Sequence, residues 1–225
     1  MEVPRNHRAH TIVKIFTYYH DMGVDCCTNM ANLWKESWAA QGWEAVILGP
    51  QDAAKHPKFG ILTDHAKTLP TVNDKGYEMA CYQRWCAFAL EGGLISDFDV
   101  LPRDTFPPRE FSGFINAGVD CGVSLFHGRP SDYEIVIDTI ICYSPSQEDQ
   151  WKGKPHVSDA TIIRKNLHIF PNEMDLVRGY TDPGWETAEL IHYANLRLKH
   201  RGKMERVAEI KLIQKELADA KRVSI

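Results

Sequence analysis

Two aspartates separated by one aromatic residue, Asp97-Phe98-Asp99, follow the short apolar run Leu94-Ile95-Ser96. A strand that passes from apolar residues into Asp-x-Asp sets two carboxylates at the carboxyl edge of a sheet, where open α/β sheets bind ligands. Two close carboxylates repel each other, and a divalent cation held through oxygen lets both stay ionised. The chemistry this spacing points to is a metal–diphosphate site.

The elements that must position the pair lie on either side. Tyr77–Leu90 has helical spacing, with Met79, Tyr82, Trp85 or Cys86, and Ala89 on the buried side, and Gly92-Gly93 turns it into the strand. Upstream, Thr11–Tyr18 is rich in β-branched and aromatic residues and is expected to be a buried strand. Asn29–Gln41 carries Met30, Leu33, Trp34 and Trp38 at helical spacing and is stopped by Gly42. Trp43–Leu48 is a second strand, broken by Gly49-Pro50. Strand, helix and strand at these lengths make a βαβ unit, hence parallel strands with a right-handed crossover.

Residues 51–76 are expected to be loop with one short helix. Downstream, 113–116 and 118–126 are expected strands, and Tyr133–Cys142 a helix with a strand as the alternative. Residues 144–157 form a polar loop. A helix capped near Ser158 follows, then a short strand over Leu167–Phe170, a loop to Trp185, the segment Glu189–Lys199, and a charged amphipathic helix over Met204–Arg222. No repeat or linker is visible, so the expectation is one α/β domain over 1–225 with a mixed, mostly parallel sheet flanked by helices.

Composition narrows the classes of function. A formal net charge of −4 argues against a general electrostatic grip on nucleic acid or an anionic membrane. None of the six cysteines stands in a C-x-x-C pair, and most lie among apolar residues, which fits free thiols in a reducing compartment. The polar opening MEVPRNHRAH has no signal-peptide character, and no apolar run nears the ~18 residues of a membrane span. A cytoplasmic location is the expectation.

Arg84, then Gly92-Gly93, then Ser96-Asp97-Phe98-Asp99, resembles the R…GG…D-x-D signature of nucleotide-sugar-dependent glycosyltransferases of the Rossmann-like GT-A fold. It is most similar to the capsular-polysaccharide and mannosyltransferase-like group with a sugar-binding D-x-D region. The resemblance covers about residues 11–100. It implies a nucleotide-binding half over about 11–102, an acceptor-side half over about 103–200 and a helix over about 203–222. It also implies Mn²⁺ or Mg²⁺ held by Asp97 and Asp99, a UDP- or GDP-sugar donor, and a saccharide or glycoconjugate acceptor. The metal would bridge the diphosphate and act as a Lewis acid.

The same resemblance directs attention to further residues, each with a plainer alternative. His192 would complete the metal site, or is a partly buried histidine on an amphipathic helix. Lys199 would meet a phosphate. Asp159 would be the general base toward an acceptor hydroxyl, or an acid favoured at a helix N-terminus. Thr17 and Tyr18 would face base and ribose, or pack in the core. Arg84 would orient the site or pair with an aspartate, or be an exposed helix arginine. Gly118-Val119-Asp120 would line the acceptor side, or Asp120 is a turn residue.

Two rival activities share part of the pattern. A haloacid-dehalogenase-type phosphatase uses a strand-end D-x-D, but its motif continues to Thr or Val where this chain has Leu101-Pro102. A non-catalytic nucleotide-sugar-binding protein would keep the site and transfer nothing.

Overall fold

The computed structural model describes residues 13–22, 25–118, 124–194 and 206–223. The chain opens with β1 (Lys14–Tyr18), α1 (Asp25–Ala39) and β2 (Glu44–Leu48), and β1 pairs with β2 in parallel, as the βαβ reading requires. Two short helices follow, α2 (Pro50–Ala53) and α3 (Phe59–Ala66), and then the long α4 (Lys75–Glu91). Helix α4 leads into β3 (Gly93–Ser96), parallel to β1, and the chain turns through Asp97-Phe98-Asp99 into β4 (Val100–Pro102).

The remaining elements are β5 (Ile115–Asn116), β6 (Leu125–Gly128), α5 (Pro130–Ile141), β7 (Gln150–Trp151), β8 (Lys154–Pro155), α6 (Asp159–Lys165), β9 (Asn172–Glu173), β10 (Val177–Gly179), β11 (Leu190–His192) and α7 (Arg206–Val223). The main sheet runs β2-β1-β3-β6-β5-β9, and a smaller sheet runs β10-β11-β4. Strand β6 is antiparallel to β3 and to β5, whereas β1–β2, β1–β3 and β5–β9 are parallel, so the architecture is a mixed α/β one with several sheets flanked by helices.

Alternation along the central strands explains the layering. Ile15, Leu94, Ile115 and Leu125 face one core with α1, α7 and the smaller sheet. Phe16, Ile95, Phe114 and Phe126 face the other, under α2 to α6. Successive side chains of a strand point to opposite faces, so a sheet covered on both sides needs apolar residues at both parities. Helix α4 has buried residues around most of its circumference, because the sheet and helices α2, α3 and α5 surround it.

Both ends of α4 are fixed by local chemistry. Asp74 caps its start, accepting from the backbone N–H of Gly76 at 2.8 Å and of Tyr77 at 3.1 Å. Gly92 ends it at φ +68°, and a Cβ there would lie 2.6 Å from Pro130 Cδ at the start of α5. Only glycine fits both the left-handed backbone and that approach. The turn that delivers β3 is therefore pressed against α5, and the Tyr133 hydroxyl secures it by donating to Gly93 O at 2.7 Å.

Several expectations need correction. Residues 51–76 hold two helices, and Leu62 and Ala66, four apart, bury α3 in too short a pattern for periodicity to stand out. Leu167–Ile169 is a 3-10 turn, not a strand. Within the 144–157 loop, β7 and β8 form a hairpin whose tip residues Lys152 and Gly153 have φ of 50° and 75°. Residues 190–192 form strand β11, with Leu190 and Ile191 both fully buried, so His192 does not lie on an amphipathic helix. No described helix is long and apolar enough to cross a membrane.

Candidate metal centre

Four backbone and indole contacts hold the Asp97–Asp99 turn. The N–H of Asp97 donates to Ser124 O at 2.9 Å, and the N–H of Val100 reaches back to Asp97 O at 3.0 Å. From α1, the Trp34 indole N–H donates to Ser96 Oγ at 2.8 Å, and the Trp38 indole N–H to Val100 O at 3.1 Å. The two tryptophans of α1 thus grip the residues on either side of the acidic pair. Tyrosine Tyr193 adds a bond from its N–H to Asp99 O at 2.8 Å.

The smaller sheet brings the third group. Antiparallel pairing of β11 with β4 sets His192 opposite Val100, the neighbour of Asp99. His192 Nε2 then lies 3.2 Å from Asp99 Oδ1. One ligand atom from each of Asp97, Asp99 and His192 falls within a 4.8 Å spread, a cluster that could hold a metal ion. Two hard carboxylate oxygens and one imidazole nitrogen are a donor set that a divalent ion could take.

Two arginines complete the first ring of charges. Arg84 Nη1 is 2.5 Å from Asp97 Oδ1, and its Nε and Nη2 donate to Asp159 Oδ2 at 3.0 and 2.6 Å. Arg206, from the start of α7, donates through Nη2 to Asp99 Oδ2 at 2.5 Å and to Tyr193 O at 2.6 Å. The site is therefore a chain of alternating charge, Asp159–Arg84–Asp97 beside Asp99 with His192 and Arg206.

Electrostatics separates the two motif carboxylates. Burial pushes Asp97 up to about 6, against the pull of Arg84. Burial also acts on Asp99, but His192 and Arg206 outweigh it and hold the carboxyl well below the usual range. Burial opposes the charge of Arg84, yet Asp159 and Asp97 together raise its pKa above the ordinary arginine value.

Asp159 lies where its sequence position foretold, at the first turn of α6, with Ser158 Oγ capping Thr161 N at 3.1 Å. Its surroundings differ from those of a base awaiting a hydroxyl. It is only 3% exposed, Oδ2 also accepts from the Trp85 indole N–H at 3.0 Å, and Oδ1 accepts from the N–H of Ala160 at 2.7 Å. Arg84 is not an exposed helix residue either; it is the link between Asp159 and the acidic pair.

Thr17 and Tyr18 are both buried, Tyr18 within the core under α4. Burial raises the Tyr18 hydroxyl's pKa, and neither its oxygen nor Thr17 Oγ1 has a hydrogen-bond partner among the described residues. The next residue, Tyr19, is the one that meets the site: its ring packs edge-on against Phe98 at 6.0 Å and its hydroxyl lies 2.7 Å from Thr28 Oγ1. Lys199, and Val119 and Asp120 of the expected acceptor wall, lie outside the described residues. Cys81, Cys86 and Cys142 are free thiols, and the side chains of the other three cysteines are also outside that set.

Sequence reasoning missed Arg206 and Tyr19. Arg206 is 107 residues from Asp99 in the chain and sits in a helix crowded with other charges, so no spacing marks it. Tyr19 was signalled only by its place at the end of β1, one residue beyond the pair singled out. Comparison of the chain with protein families, with curated proteins and with solved structures gives no match.

Proposed function

We propose that the chain is a metal-dependent glycosyltransferase that moves a sugar from a nucleoside diphosphate, such as a UDP- or GDP-sugar, to a hydroxyl of a saccharide or glycoconjugate. The observation that carries this reading is the convergence of Asp97, Asp99 and His192 within 4.8 Å at the carboxyl edge of β1 and β3. Open α/β sheets bind nucleotides at that edge.

In this reading Asp97, Asp99 and His192 hold the ion, Mn²⁺ in preference to Mg²⁺. When bound, it supplies Lewis-acid stabilisation of the charge on a departing diphosphate. Arg84 fixes the orientation of Asp97. Asp159, with its oxygens taken up by Arg84, Trp85 and Ala160, serves through Arg84 in place of acting as the general base. The edge-to-face pair of Tyr19 and Phe98 offers an aromatic wall at the end of β1, suited to a nucleobase.

Release of nucleoside diphosphate from a panel of donor sugars, with Mn²⁺ and with excess chelator, tests the proposal. The expected result is release that requires Mn²⁺ and is lost in Asp99→Ala while the fold survives. Full release in that variant or in chelator contradicts the metal role. Mn²⁺-dependent donor binding with no release in the presence of any acceptor identifies a binding protein instead.

A further inference from the structure

Each carboxylate of the acidic pair carries an arginine, and the two arginines are held differently. This inference rests on the metal reading above. Arg84 has a second anionic anchor: two of its nitrogens lie on Asp159, which is itself fixed by Trp85 and Ala160. It stays in place whatever Asp97 binds. Arg206 has no second carboxylate among the described residues. Its other contact is the neutral carbonyl of Tyr193, and its Nε is buried without a hydrogen-bond partner among the described residues.

The position of Arg206 in its helix matters as much as its partners. It is the first described residue of α7, and its side chain is buried beside Asp99. One turn on, Ile210 and, after it, Ile213 are buried in the core that α1 shares, so the body of the helix is anchored. The guanidinium reaches Asp99 from ahead of these anchors, so its side chain can leave the carboxylate while Ile210 and Ile213 stay buried.

A divalent ion held by Asp97, Asp99 and His192 would have to share Asp99 with this guanidinium. Two cations on one partly buried carboxylate repel each other, and the one without a second anionic anchor yields. We infer that Arg206 is the site's exchangeable counter-cation: it holds Asp99 in the metal-free protein and is displaced when a divalent ion binds. Metal binding is thereby coupled to the seating of Arg206 and the residues beside it in α7, and the coupling is reciprocal.

Calorimetric titration with Mn²⁺ alone tests this in wild type, Arg206→Gln and Lys211→Gln, with amide exchange of the wild type followed in parallel. Lys211 is exposed on the same helix, so its variant removes a positive charge without touching Asp99. The expected result is Mn²⁺ affinity about tenfold higher in R206Q, a change of about 1.4 kcal/mol, and less than about twofold in K211Q. In the wild type, Mn²⁺ should speed exchange over residues 206–210 and leave the region of Ile213 protected. Equal or weaker Mn²⁺ binding in R206Q, or an equal gain in K211Q, overturns the exchange and leaves the metal site standing. No Mn²⁺ binding in either wild type or R206Q overturns the metal reading and this inference with it. Should R206Q fail to fold, the wild-type exchange decides: unchanged or slower exchange at 206–210 overturns the inference.

Discussion

Replacing Asp159 by Asn separates two accounts of that residue. Its Oδ2 receives three N–H groups, two from Arg84 and one from Trp85, and its Oδ1 receives a fourth from Ala160. An asparagine has one oxygen to give. With that oxygen toward Arg84 and Trp85, its amide N–H₂ faces the N–H of Ala160; flipped, it faces three donors. Arg84 also keeps its charge after losing the anchoring carboxylate of Asp159. Removing one partner of a buried ion pair costs about 3–5 kcal/mol. Asp97 compensates in part, so the lower end applies, about 3 kcal/mol. At roughly 2–4 °C per kcal/mol for a protein of this size, the melting temperature should fall by about 6–12 °C. Thermal melts at pH 7, with Mn²⁺-dependent turnover measured alongside, check it. Because Arg84 also orients Asp97, donor KM should rise while kcat falls. A carboxylate acting only as general base predicts a lower kcat with stability and donor binding intact. A variant melting within about 2 °C of wild type refutes the anchoring argument.

Three further outcomes follow from other parts of the fold. Burial pushes Glu78 up from 4.5 to about 7, with Oε1 unpartnered. A carboxyl raised on folding contributes stability that is fully present below its unfolded pKa and lost as pH rises through the folded value. Glu78→Gln should therefore gain about 1–3 kcal/mol over wild type at pH 8 relative to pH 4; parallel stability curves from urea unfolding at the two pH values contradict this. Gly92→Ala should cost about 2–4 kcal/mol, combining a left-handed backbone with overpacking against Pro130, seen as a lower urea midpoint at unchanged slope. His192→Ala should weaken Mn²⁺ binding about tenfold or more and Mg²⁺ binding much less, since an imidazole favours the transition ion; equal losses for both ions contradict its role as a ligand.

Local chemistry made much of the site's frame legible. The helix from Tyr77, the Gly92-Gly93 turn, strand β3 and the Ser158 cap of α6 all rest on residues that act on their own neighbours. The βαβ unit was equally open, because Trp34 and Trp38 give α1 its apolar stripe and β-branched residues mark β1. What escaped was set by long-range pairing. Nothing local tells that residues 190–192 lie antiparallel beside Val100, since Leu190 and Ile191 are apolar in either a helix or a strand. The same holds for Arg206, whose meaning comes only from α7 lying against α1. Asp159 was found for its helix-start position, but its engagement with Arg84 depends on how α6 meets α4, a contact of tertiary packing.

The proposed function stands on a divalent-metal site, formed by Asp97, Asp99 and His192, that binds a diphosphate. Calorimetry of wild type, Asp97→Asn and Asp99→Asn with Mn²⁺, followed by a nucleoside-diphosphate sugar, addresses it most directly. The account predicts one Mn²⁺ per wild-type chain, donor binding that appears only with Mn²⁺ present, and loss of both in the two variants. Donor binding of equal strength in excess chelator, or Mn²⁺ binding unchanged in both variants, would contradict it.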